Sequence, residues 1–140
     1  MKATERAMDV RCGIDIADIS RFVKIVEDGN TAFIDKCFTE EEIRYCSSAK
    51  DNLKKAERYA ARFAAKEAVG KALGTGLLSE GVGMKDIEVV KDEKGAPGVR
   101  LTGGALSHAE ELGMSSISLS LSHDGGMAAA YCVMLLENNA

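Results

Sequence analysis

The stretch from Leu53 to Gly74 constrains this chain more than any other. Apolar residues at Leu53, Ala56, Ala60 and Phe63 recur at helical spacing. The spacing predicts one long helix over about Leu53 to Leu73, with Gly74 as its stop. Carried one turn further, the apolar stripe lands on Glu67, with Lys66 beside it and Lys71 one turn later. A carboxylate on a buried stripe is costly unless it meets a cation or a metal.

The remaining pattern supplies the layers such a helix packs on. Val10–Ile16, VRCGIDI, reads as a short buried strand. DISRFVKIVEDG follows as an amphipathic helix, with Ile19, Phe22, Val23 and Val26 on one face and Gly29 at its end. Arg21 and Lys24 share its other face. In FTEEEIRYC, Thr39 and Glu42 have the spacing of a capping box. IEVVKDEKGAPGVRL reads as two strands joined around Asp92 to Gly95, and GALSHAEELG as a helix ended by Gly113, with His108 structural. SSISLSLSHDGGMAAAYCVMLLE reads as a hairpin: Ile117, Leu119 and Leu121 alternate with serines, and Asp124-Gly125-Gly126 makes the turn. The expected fold is α+β, a mostly antiparallel sheet backed by helices, one of them long.

A chain of 140 residues suits one domain, expected over residues 10–140, with residues 1–9 as a disordered extension. No apolar run could span a bilayer and MKATERAMD lacks the apolar stretch of a signal peptide, so a cytoplasmic location is expected. A net charge of −4 argues against a general nucleic-acid binder. Cysteines at 12, 37, 46 and 132 form no CxxC pair and read as buried small hydrophobes.

Two carboxylates sit where periodicity expects hydrophobes. One is Glu67. The other is Asp15, inside the apolar CGIDIAD. A plain Glu67–Lys71 helix pair and a capping aspartate would account for them separately. Together they fit a hard cation such as Mg²⁺, which takes one or two carboxylates and is completed by phosphate oxygens. Lys66, Lys71 and the backbone of Gly74-Thr75-Gly76 would then serve a polyphosphate, with Ser122 and His123 as further phosphate or nucleotide contacts.

Five segments, GIDIADISRF, FTEEEI, RFAAKEAVGKALGTG, KDEKGAPGVRL and SISLSLSHDGGMAAAYCVM, together resemble the holo-acyl-carrier-protein synthases, small 4′-phosphopantetheinyl transferases. The resemblance covers Arg11 to Glu137. It implies the 4′-phosphopantetheinyl transferase fold and transfer of phosphopantetheine from coenzyme A to a serine of apo acyl carrier protein, releasing adenosine 3′,5′-bisphosphate. It implies Mg²⁺ on Asp15 and Glu67, and Lys71 near the phosphates with Lys66 as a second lysine. Asp15, Glu67 and Lys71 would form the catalytic group. Arg62, Lys66, Lys71, Gly74, Thr75, Gly76, Ser122 and His123 would line the coenzyme A site. The general base stays open between Glu67 acting directly and a water acting for it. Arg21, with Lys24 on the same face, would contact the acidic carrier protein, and the assembly would be a homotrimer with coenzyme A in clefts between subunits. Ala96 stands where the family usually carries lysine. The alternatives are another Mg²⁺-dependent pyrophosphate enzyme and a non-catalytic module docking an acidic partner.

Overall fold

The structure, a computed structural model, describes residues 6–74 and 82–139. The elements run β1 (Arg6–Asp18), α1 (Ile19–Glu27), α2 (Thr31–Cys37), α3 (Glu40–Ser47), α4 (Asn52–Leu73), a 3₁₀ turn (Met84–Asp86), β2 (Ile87–Lys91), β3 (Pro97–Leu101), α5 (Gly103–Leu112), β4 (Met114–Asp124) and β5 (Met127–Asn139). One antiparallel sheet has the order β1-β5-β4, and β2 and β3 form a second, two-stranded sheet. The α+β expectation holds.

Local chemistry sets most boundaries. Asp18 caps α1, its carboxylate accepting from the Ser20 amide at 3.0 Å. That leaves Asp15 free of capping duty. Thr39 and Glu42 close the expected capping box of α3. Gly125 and Gly126 both take positive φ, 56° and 81°, which a two-residue reversal between right-twisted strands requires.

Helix α4 lies across the sheet, and its buried positions include Ala56, Ala60, Ala64, Ala68 and Ala72. This row of methyls lets β1 come close. A Cβ on Gly13 would stand 2.0 Å from the Ala68 carbonyl oxygen, so only glycine fits there. Phe63 packs against Phe22 and Phe33, with ring centroids 5.4 and 6.0 Å apart, and ties α1 and α2 to the same helix.

Five expectations about the fold need correction. Helix α2 was not foreseen; Asn30 caps it by accepting from the Phe33 amide. Residues 6–9 are not a disordered extension, because they pair with residues 136–139; residues 1–5 lie outside the described residues. Strand β1 is longer than expected and only one face is buried: Met8, Val10, Ile14 and Ile16 are 57–62% exposed. Leu53 is also exposed, since the buried stripe of α4 follows the alanines. Among the cysteines, Cys12 is exposed, whereas burial pushes the Cys46 and Cys132 thiols up to about 12 and about 11. No described helix is long and apolar enough to cross a membrane.

Candidate active site

The close approach at Gly13 brings the next turn of β1 against the last turns of α4. Lys71 Nζ donates to Asp15 Oδ1 at 3.0 Å and to the Ile14 carbonyl at 2.9 Å. Both side chains keep access to solvent, 54% for Lys71 and 22% for Asp15. Glu67 lies one turn before Lys71 and is half-buried. Burial raises its pKa above the ordinary glutamate value and Asp15 raises it further, while Lys71 and Arg21 oppose both. Two carboxylates that repel each other beside a lysine form an arrangement suited to a cation and phosphate oxygens. No cluster of three or more His, Cys, Asp or Glu ligands occurs among the described residues.

Lys66 behaves differently, and its assignment to a phosphate is corrected here. Its ammonium is wholly buried and ion-paired with Glu42 Oε1 at 2.7 Å. It also donates to the Met84 carbonyl at 3.0 Å and to that of Ile87. Burial lowers its pKa, opposed by the charge and hydrogen bond of Glu42. All three ammonium donors are satisfied inside the protein, so none is available to a ligand.

Arg62, Ser122 and His123 come together elsewhere. They line a cleft of about 320 Å³ with Tyr45, Arg58 and Lys54. Asp15 and Lys71 line a separate depression with Ile14 and Ile16. Within one chain the expected site residues therefore fall into two groups. Gly74 ends α4 at φ 83°, with the Arg11 guanidinium packed where a Cβ would stand. Thr75 and Gly76 lie outside the described residues. Arg21 is exposed on α1, with its guanidinium carbon 5.2 Å from the Phe63 ring centroid, and Lys24 is exposed on the same helix. His108 donates to the Leu73 carbonyl at 3.0 Å, in keeping with a structural role at the end of α4.

Sequence reasoning missed Tyr45, Arg58 and Lys91. Arg58 stands four residues before Arg62 on α4, a spacing that could have paired them on one face. Nothing local points to Tyr45 or Lys91, which reach the cleft from α3 and β2.

A family model described as the 4′-phosphopantetheinyl transferase superfamily matches residues 11–132. The chain belongs to this superfamily. A holo-[acyl-carrier-protein] synthase of Geobacter sp. (strain M21) is 48% identical over 122 residues, covering 87% of this chain and 94% of that one. The enzyme of that name from Ruminiclostridium cellulolyticum is 45% identical over 132 residues, covering 94% and 96%. Among solved structures, the Helicobacter pylori holo-[acyl-carrier-protein] synthase in complex with coenzyme A superposes with a TM-score of 0.75 at 33% identity, covering 88% of this chain and 98% of that one. The Plasmodium yoelii acyl carrier protein synthase with ADP bound gives 0.80 at 34% identity, covering 94% and 99%. The phosphopantetheinyl transferase fold thus accounts for nearly all of the chain, including β1 and α4, which carry Asp15, Glu67 and Lys71.

Proposed function

We propose that this chain is a holo-[acyl-carrier-protein] synthase that moves the 4′-phosphopantetheine arm of coenzyme A onto a serine hydroxyl of apo acyl carrier protein. The oxygen–phosphorus bond to the serine forms as the bond to the departing adenosine 3′,5′-bisphosphate breaks, and the serine proton passes to a base. The observation that carries this reading is the meeting of Asp15, Glu67 and Lys71 where β1 crosses α4, in a chain whose fold is shared by a coenzyme A complex.

The residues present fit Mg²⁺. Asp15 and Glu67 offer hard oxygen donors whose mutual repulsion a cation would relieve. Held there, Mg²⁺ would supply neutralisation of the charge developing on the 5′-phosphate of the departing adenosine 3′,5′-bisphosphate. Lys71 keeps Asp15 in place and adds a positive charge near that phosphate. Glu67 is the group of the three placed to take the serine proton, because Lys71 acts as a donor to the Ile14 carbonyl and to Asp15, and Asp15 is engaged by it. Arg62, Ser122 and His123 bind coenzyme A, while Arg21 and Lys24 meet the acidic carrier protein.

The protein works as a homotrimer in the cytoplasm. Self-association is supported by the open face of the sheet, where Met8, Val10, Ile14 and Ile16 of β1 lie beside Met127 and Tyr131 of β5, all more than 40% exposed. Because Asp15 is on the same strand as that face, a neighbouring copy would border the site and could bring the second group of residues toward the first.

The test is to incubate the protein with apo acyl carrier protein, coenzyme A and Mg²⁺ and weigh the carrier. A gain of one phosphopantetheine, abolished by chelator and reduced at least about 100-fold by Glu67→Gln, is expected. No gain across several carrier proteins would overturn the reading.

A further inference from the structure

Strand β1 and helix α4 hold each other from both sides. The odd residues of β1 face the helix: Arg11, Gly13, Asp15 and Ala17 are buried or half-buried, while the even residues between them are exposed. The first three each meet α4. Arg11 Nε donates to the Ala72 carbonyl at 2.7 Å. Gly13 gives the close approach, since a Cβ there would stand 2.0 Å from the Ala68 carbonyl oxygen and 2.9 Å from the Ala72 amide nitrogen. Asp15 accepts from Lys71 Nζ, which also donates to the strand at the Ile14 carbonyl. Each element thus extends one cationic side chain onto a backbone carbonyl of the other.

Arg11 sits at the end of α4 that needs donors. The last carbonyls of a helix lack partners within it. Here the Gly74 amide takes those of Gly70 and Lys71, at 3.0 and 3.1 Å, Arg11 takes that of Ala72, and His108 takes that of Leu73. A positive charge at this end also complements the negative pole of the helix. Gly74 is called for twice, by its φ of 83° and because a Cβ there would stand 2.1 Å from Arg11 Nη2. The two side-chain caps differ in what they join. His108 joins α4 to α5, whereas Arg11 joins it to the strand that carries Asp15.

Lys71 is the neighbour of Ala72, so a bond that fixes the Ala72 carbonyl fixes the turn from which Lys71 reaches Asp15. Arg11 and Asp15 are four steps apart on the strand, a span of about 13 Å. Contacts at both ends of that span stop the strand from sliding or pivoting on the helix, which the contact at Gly13 alone would permit. Resting on the reading above, this alignment matters because Asp15, Glu67 and Lys71 must act together on one reacting phosphate. We propose that Arg11 is a positioning residue that latches β1 to the last turn of α4 and so keeps Lys71 on Asp15. It touches no substrate, and its effect on transfer passes through Lys71.

Transfer kinetics and urea unfolding of Arg11→Met, Arg11→Lys, His108→Leu and the variant carrying both Arg11→Met and Lys71→Met test this. Arg11→Met is expected to lower kcat about tenfold, with KM for coenzyme A and for carrier protein within about twofold of wild type. Arg11→Lys, which keeps a charged donor for the Ala72 carbonyl, recovers most of the loss. His108→Leu removes a cap from the same helix end and lowers the urea midpoint as Arg11→Met does, yet leaves kcat within about twofold. Added to Lys71→Met, Arg11→Met slows transfer by less than about twofold more, because the group it positions is already gone. Full multiplication of the two losses, a rise in KM for coenzyme A, or an equal fall in kcat from His108→Leu overturns the proposal. Hydrogen exchange at the Gly74 amide, which closes the helix end, reads the latch without any transfer. Faster exchange in Arg11→Met, in a protein that transfers nothing, would reject the transferase reading and leave the latch standing; unchanged exchange and unchanged kcat in an active enzyme would do the reverse.

Discussion

Lys66 and Lys71 sit on one helix, each beside a carboxylate, and the two pairs do opposite things. Lys66 and Glu42 are wholly buried, and the charged atoms of both find their partners inside the protein. Glu42 Oε1 accepts from the Thr39 amide at 2.9 Å and Oε2 from the Val89 amide at 2.8 Å, so the pair ties α3, α4 and β2 together. Thr39 in turn donates to Glu88, which meets Arg100 at 2.9 Å. Lys71 and Asp15 remain open to solvent, with Glu67 and its unfavourable proximity to Asp15 alongside. A charge saturated by its own protein serves the fold. A charge left with unmet needs serves a ligand.

Breaking each pair separates those roles. Lys66→Met leaves Glu42 ionised and alone in the core and is expected to cost about 3–5 kcal/mol of stability, measured by urea unfolding. Lys66→Met combined with Glu42→Gln recovers a large part of it, because the uncompensated charge is gone. Lys71→Met is expected to change stability by less than about 1 kcal/mol, since its pair is partly exposed, yet to slow transfer about 100-fold. Similar stability losses from Lys66→Met and Lys71→Met would erase the distinction.

A smaller effect belongs to the rim. Arg21→Glu reverses a charge on the exposed face of α1 and is expected to raise KM for carrier protein about tenfold, with KM for coenzyme A unchanged. Equal weakening of both substrates would remove α1 from the docking surface.

The smallest effect sharpens the account of Glu67. Its pKa in the folded protein lies above its unfolded value, so its favourable contribution is complete below the unfolded value and is lost as pH rises through the folded one. Ionised Glu67 therefore weakens the metal-free protein at neutral pH. Glu67→Gln should raise the melting temperature near pH 7 in chelator, with the gain vanishing near pH 4, around the ordinary glutamate pKa. A gain independent of pH would mean that the carboxylate is not strained by its surroundings.

Much of this was legible in local pattern. The Thr39–Glu42 box, the glycine stops at Gly74 and Gly113 and the Gly125-Gly126 turn are decided within a few residues, and the structure has each of them. Asp15 and Glu67 stood out because each interrupts an apolar pattern. Two signals misled. Adjacent residues on a helix point about 100° apart, and α4 is buried over so wide an arc that periodicity could not say which of Lys66 and Glu67 faced inward. The apolar side of β1 read as buried because alternation alone does not reveal whether a helix, another copy of the chain or solvent meets each face.

The sequence by itself determined most helix ends, the β4–β5 turn, the α+β class and the two carboxylates that interrupt apolar runs, because caps, turns and alternation act over a few bonds. Only the tertiary structure decided what those charges meet. Gly13 lets β1 approach α4 closely enough for Lys71 to reach Asp15, Glu42 takes up Lys66 from another helix, and Tyr45, Arg58, Arg62 and Lys91 gather from α3, α4 and β2. These contacts join residues far apart in the chain, and their energies depend on burial and distance, which become defined only when the layers pack.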